Sequence, residues 1–186
     1  MASTNPKRWW TFSVVALFLA AGWAWLSRVP DSAASTGRIA SPREGFPAPD
    51  FTLANLNGDS VALSEQQGKV VIVNLWASWC GPCRAEMPAI QKLYEANKDR
   101  GLEVLAVNST FQDTEADARA FVKSLSLTLP VLFDKDGAVS RRYLLRAMPS
   151  TFIIDRQGII RAVMIGGPVS EAVLQTKIEP LLNEAP

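Results

Sequence analysis

From Phe46 to the C-terminal end, strand and helix signals alternate along the chain, the pattern of an α/β domain built on a central sheet. Two short apolar stretches, "DFTLANL" (50–56) and "SVALS" (60–64), flank Asn57-Gly58-Asp59, so an N-terminal β-hairpin is expected there. "KVVIVNLWA" (69–77) is a continuous β-branched run, which predicts a strand buried on both faces. A helix is predicted over 81–98, interrupted at Pro88, and a strand over "LEVLAVNS". A second helix opens near Asp113 or Thr114 in "DTEADARAFVKSL", with acidic residues in its first turn. "PVLFD" (130–134) reads as a strand, followed through "KDG" by a short helix, "AVSRRYLL". The pattern closes with a hairpin of "STFIID" and "IIRAVMI" around "RQG", and a last helix capped by Ser170. No internal repeat is present.

The first thirty residues follow a different rule. "MASTNPKR" is polar, and the run from Trp9 to Leu26 then carries no charge. Eighteen helical residues span about 27 Å at ~1.5 Å per residue, close to the ~30 Å of a hydrocarbon core. Trp9 and Trp10 at one end and Trp23 and Trp25 at the other resemble interfacial belts. The alternative is a buried core helix, a rare use for a run at an extreme N-terminus. Lys7 and Arg8 on one side face Arg28, Arg38 and Arg43 on the other, so counting charges does not orient the segment. The layout does: a short basic region before an apolar one is how export signals read. The small-residue site Ser32–Ala34 lies beyond Arg28, Pro30 and Asp31, which favours an uncleaved anchor. Residues 28–45 are rich in Ser, Ala, Pro, Gly and Arg and read as a flexible tether.

Charge and composition narrow the chemistry. A net charge of +1 over 186 residues argues against a nucleic-acid partner. The chain has no histidine, which excludes Ser–His–Asp and Cys–His mechanisms and counts strongly against a mononuclear zinc site. Nothing in the sequence implies a cofactor. There are two cysteines, both inside "WCGPCRAEMP".

As a staple, a disulfide between Cys80 and Cys83 would do little, because a loop that small removes only ~2 kcal/mol of unfolded-chain entropy. A metal would need two more ligands, which only a dimer pooling four thiolates could supply. The pair could also be two inert buried thiols. What a close pair does serve is reversible thiol–disulfide exchange: one thiolate attacks a disulfide, and the second resolves the mixed disulfide. A buried strand runs into "ASWC", placing Cys80 where strand turns to helix. There unpaired N–H groups and the positive end of the macrodipole favour a thiolate. Pro82 suits the first turn, and Cys83 lies one turn on and less exposed. Cys80 is therefore the expected nucleophile and Cys83 the resolver.

"NLWASWCGPCRAEMP" resembles the active-site segment of the thioredoxin superfamily, and more closely that of its membrane-anchored, extracytoplasmic TlpA/ResA-like branch. The resemblance covers about residues 46–184 in matching order: "FPAPDFTLANLNG", "KVVIVNLWASWCGPC", then "MPSTFIIDRQG". A helical insert, here 113–125, is also typical of the branch. The resemblance implies a thioredoxin-like fold, a mixed sheet flanked by helices. It also implies that Pro149 is the family's cis-proline, exposing the Met148 backbone to pair with a partner's extended segment. Thioredoxins proper carry a buried Asp six residues before the first cysteine; this chain has Asn74, as the branch does. Glu86 matches the branch's "C-x-x-E" position, which implies a proton relay with a raised pKa; the other reading is a solvated helix carboxylate. Trp76 is expected in the core, Trp79 at an apolar rim beside the nucleophile, and Pro88 as a helix kink. "YLLRAM", before Pro149, departs from the glycine-containing segment more usual in the family.

The expected organisation is then a cytoplasmic N-terminus over 1–8, a transmembrane signal-anchor over 9–27, the linker over 28–45 and a thioredoxin-like domain over 46–186. The implied location is a bacterial inner membrane with the domain on the extracytoplasmic side. The Gly-Pro dipeptide and the tether favour reduction of client protein disulfides, with electrons from a membrane thiol donor. By resemblance, the clients are apocytochrome c cysteines or cuproprotein assembly factors. An oxidant of secreted thiols, a thiol peroxidase (whose "APDFTL" opening is similar) and a redox-inert binding module are the alternatives.

Overall fold

Along β3 (Val70–Trp76) every residue is buried. Alternate side chains feed two separate cores: Val70, Ile72 and Trp76 one, Val71, Val73 and Leu75 the other. This is the computed structural model of the chain, and it describes residues 39–184. The apolar run at 9–27 lies outside those residues; among the described residues no helix is long and apolar enough to cross a membrane.

β3 sits near the middle of a seven-stranded sheet. Its neighbours are β4 (Leu102–Asn108), parallel, and β6 (Ser150–Ile154), antiparallel. β5 (Val131–Phe133) continues the sheet parallel to β4. The predicted hairpin of β1 (Thr52–Asn55) and β2 (Ser60–Ala62) closes that edge antiparallel to β5. β7 (Ile160–Ile165) pairs with β6 at the other edge. The sheet is mixed, as the resemblance implies.

Three helices, α1 (Gly81–Asn97), α2 (Glu115–Ser124) and α4 (Glu171–Asn183), contribute to one core. There Trp76 packs on Phe121 with ring centroids 4.6 Å apart. The other core holds Phe51, Tyr143 and Phe152 under the short helix α3 (Ala138–Arg142). Thr114 and Ser170 cap α2 and α4 through their hydroxyls, as their positions predict.

Three details differ from expectation. α1 runs unbroken through Pro88, since its buried face of Cys83, Met87, Ile90 and Leu93 holds the turn that the missing N–H weakens. α3 stops at Arg142 rather than Leu145: Leu144 adopts φ +51°, and Leu144 and Leu145 donate back to the Arg141 and Ser140 carbonyls. The end of the tether is also tied to the sheet, with Val163 N–H donating to the Glu44 carboxylate and Ser41 N–H to the Pro47 carbonyl.

Candidate active site

The C-terminal ends of β3 and β4 and the start of β6 converge at one end of the sheet, the usual place for a site in an open α/β fold. Cys80 is the N-cap of α1, with extended φ/ψ of −81° and 106°. Its Sγ accepts the Cys83 N–H at 3.1 Å, so an amide of the first helical turn points at the sulfur. The two cysteines form a disulfide, with Cα atoms 5.2 Å apart. Cys80 is 5% exposed and Cys83 1%. Both cysteines belong to the same buried cluster, but Cys80 also borders an open groove with Trp79, Pro82, Gln112 and Met148, which Cys83 does not line.

The segment before Cys80 is clamped from the far side of the β4–α2 connection. Asp113 accepts hydrogen bonds from the Ser78 N–H (2.7 Å), the Ser78 hydroxyl (2.6 Å), the Asn108 amide (2.8 Å) and the Thr114 N–H (2.9 Å). Partial burial opposes its charge, but these bonds outweigh it and hold the carboxyl below the ordinary aspartate range. Trp79, 61% exposed, is pinned by its indole N–H to the Gln112 carbonyl at 3.0 Å. Trp76 is fully buried.

Glu86 follows Cys83 by three residues on the same buried face of α1 and is 1% exposed. Asn74 shares the Trp76 face of β3, and its amide donates to Glu86 Oε1 at 3.2 Å. The Thr151 hydroxyl donates to the same oxygen at 2.7 Å, and the Val169 N–H donates to Oε2 at 2.9 Å. Burial pushes the Glu86 carboxyl above its ordinary range, against the pull of the Val169 and Thr151 bonds. This is an interior titratable group one helical turn beyond Cys83, and the solvated-carboxylate alternative does not describe it.

The Met148–Pro149 bond is cis, as the resemblance implies, and Gly167–Pro168 is a second cis bond. The Gly166 N–H donates to the Pro149 carbonyl at 2.8 Å, and the Ser150 hydroxyl donates to the Ala147 carbonyl. Met148 between them has neither backbone group bonded within the described residues and faces the Cys80 groove. Gly167 closes the site from behind. A Cβ there would lie 2.8 Å from Glu86 Oε2 and 2.9 Å from Pro149 Cγ, both held in place. Gly167→Ala is expected to destabilise the protein by about 1–3 kcal/mol, checked by urea denaturation.

The structure thus brings Cys80, Cys83, Glu86, Trp79, Met148 and Pro149 to one locality. Sequence reasoning gave no role to Asp113, Thr151 or the 167–169 loop. The one available signal was Gly-Gly-Pro directly after a strand, a turn cue without a partner attached.

A thioredoxin-like fold carrying this cysteine pair at a helix N-terminus defines a thiol–disulfide oxidoreductase. The chain belongs to the AhpC/TSA family, whose profile matches residues 45–163. It is 42% identical over 125 residues to the thioredoxin-like protein YneN of Bacillus subtilis (strain 168), covering 67% of this chain and 72% of that protein. It is 36% identical to the thiol-disulfide oxidoreductase ResA of Geobacillus kaustophilus (strain HTA426), over 69% of this chain and 73% of that one. Among solved structures it is similar to a putative thiol:disulfide interchange protein DsbE from Chlorobium tepidum. That likeness has a TM-score of 0.70 and 35% identity, over 76% of this chain and 99% of the other.

Proposed function

We propose that the protein is a membrane-tethered, extracytoplasmic reductant of disulfides in client proteins. The observation that carries this reading is the asymmetry of the pair: Cys80 borders the groove, while Cys83 does not line it and is followed, one helical turn on, by a buried carboxylate. In the reduced protein the Cys80 thiolate attacks a client disulfide. A Cys80–client bond forms and one client thiolate leaves, taking a proton from solvent. Cys83 then loses its proton to Glu86 and attacks Cys80 Sγ. The second client thiol is released, the Cys80–Cys83 disulfide forms, and two electrons have passed to the client. A membrane dithiol donor restores the reduced pair.

The free N–H and C=O of Met148 support a client bound as an added strand beside Cys80. Glu86 supports the reducing direction: a buried carboxylate one helical turn beyond Cys83 opposes further negative charge in that region and so raises the energy of a thiolate there. The apolar run at 9–27 supports anchoring, and the resemblance supports apocytochrome c or cuproprotein assembly factors as clients. Equilibration against glutathione buffers tests the direction. The couple is expected below the ~−180 mV of disulfide isomerases and toward the ~−270 mV of thioredoxin; a value near ~−120 mV would make the protein an oxidant. Robust peroxide turnover with a dithiol donor would instead favour the peroxidase alternative.

A further inference from the structure

Few large apolar side chains stand in the open among the described residues, yet Trp79, Phe111 (44% exposed) and Leu144 (50%) gather on the Cys80 side. The groove beside Cys80 shares Gln112, Leu145 and Arg146 with a second groove, which runs on to Phe111 and Leu144. The two form one continuous depression leading away from the sulfur.

Its apolar walls are built. The Phe111 ring lies over Gly137, where a Cβ would come within 2.9 Å of it, so glycine at 137 is what lets the ring rest there. Leu144 holds φ +51° at the end of α3. L side chains are disfavoured in that region and glycine is not. A half-exposed leucine recovers little of that cost through core packing, so its side chain serves something outside the domain. Arg146, also exposed, has no hydrogen bond or carboxylate partner among the described residues, and the neighbouring Arg141 guanidinium donates only to the Asp136 carbonyl. The depression is apolar at its far end and positive along its rim.

The geometry points to a specificity subsite for the client of Cys80. A large apolar side chain of the client's extended segment packs against Phe111 and Leu144, and a carboxylate beside it pairs with Arg146. Clients carrying an apolar and an acidic residue next to the attacked cysteine are the ones selected. This rests on the reading that Cys80 reduces protein disulfides, and it adds which ones.

The test compares three disulfide-bonded peptides, carrying Phe and Glu, Phe and Lys, or Ser and Lys beside the cysteine, alongside the small neutral substrate hydroxyethyl disulfide. The parent protein is expected to prefer the first peptide. Leu144→Gly, which keeps the left-handed turn, is expected to lower kcat/KM for it by about tenfold. Its melting temperature stays at or above the parent's, and its rate with hydroxyethyl disulfide is unchanged. Arg146→Glu is expected to shift the preference toward a Phe and Lys peptide. No preference in the parent, or equal preference in all three proteins, overturns the subsite. So does a Leu144→Gly protein that loses stability and both kinds of substrate together, since the residue is then structural. A parent inactive even on hydroxyethyl disulfide overturns the oxidoreductase reading itself, and the subsite with it.

Discussion

Cys83→Ser protein, reduced and mixed with a disulfide client, is expected to accumulate a covalent adduct through Cys80, released by dithiothreitol and seen as a mass shift. The first exchange needs only the groove-side sulfur, whereas release needs the second, and serine cannot attack a disulfide. Cys80→Ser is expected to form no adduct and to lose turnover by at least about three orders of magnitude. The assignment follows from position. Cys80 caps α1 with an amide of the first turn aimed at its sulfur and borders the open groove. Cys83 is packed among Met87 and the strands of the core. An adduct on Cys83 in the Cys80→Ser protein would reverse the two roles.

The second large effect falls on Glu86. Its carboxyl is held above the ordinary range by burial, so between the unfolded value of about 4.3 and the folded one the native protein holds a proton that the unfolded chain has lost. Stability from this group is full below the unfolded value and drains away as pH rises through the folded one. Glu86→Gln removes that dependence. The variant is expected to show a flatter stability profile than the parent, measured by urea denaturation across pH. Its turnover is expected to fall by about 10²-fold, with the adduct longer-lived, because Cys83 has lost its proton acceptor. The limb of the parent's pH–rate profile that belongs to Glu86 should vanish. A variant with the parent's pH profile would leave Glu86 a structural residue only.

What the sequence could show depended on how local the cause was. β3 was readable because seven successive buried positions impose an apolar run broken only at Asn74. The start of α1 was readable because Pro82 and the preceding strand mark it locally. The partners of Glu86 were not, since Thr151 and Val169 stand 65 and 83 residues away and meet it only when β6 and the loop after β7 close over α1. The Asp113 clamp on Ser78 spans 35 residues and hides for the same reason. Pro88 misled in the other direction, because a proline's local penalty reads as a break and the packing that overrides it is tertiary. Leu144 gave no sign at all. Leucine is among the last residues from which a left-handed turn is expected, and that mismatch makes the position informative once seen.

The account depends on ionisation of Cys80 at neutral pH, and alkylation tests it directly. With Cys83→Ser protein, reduced and free of client, the rate of iodoacetamide modification is followed from about pH 5 to pH 9. A sulfur stabilised by the first-turn amides of α1 reaches its plateau by about pH 7.5, as thiolates at helix N-termini do. A rate that keeps climbing with pH through about 8.5, as free cysteine does, would contradict it.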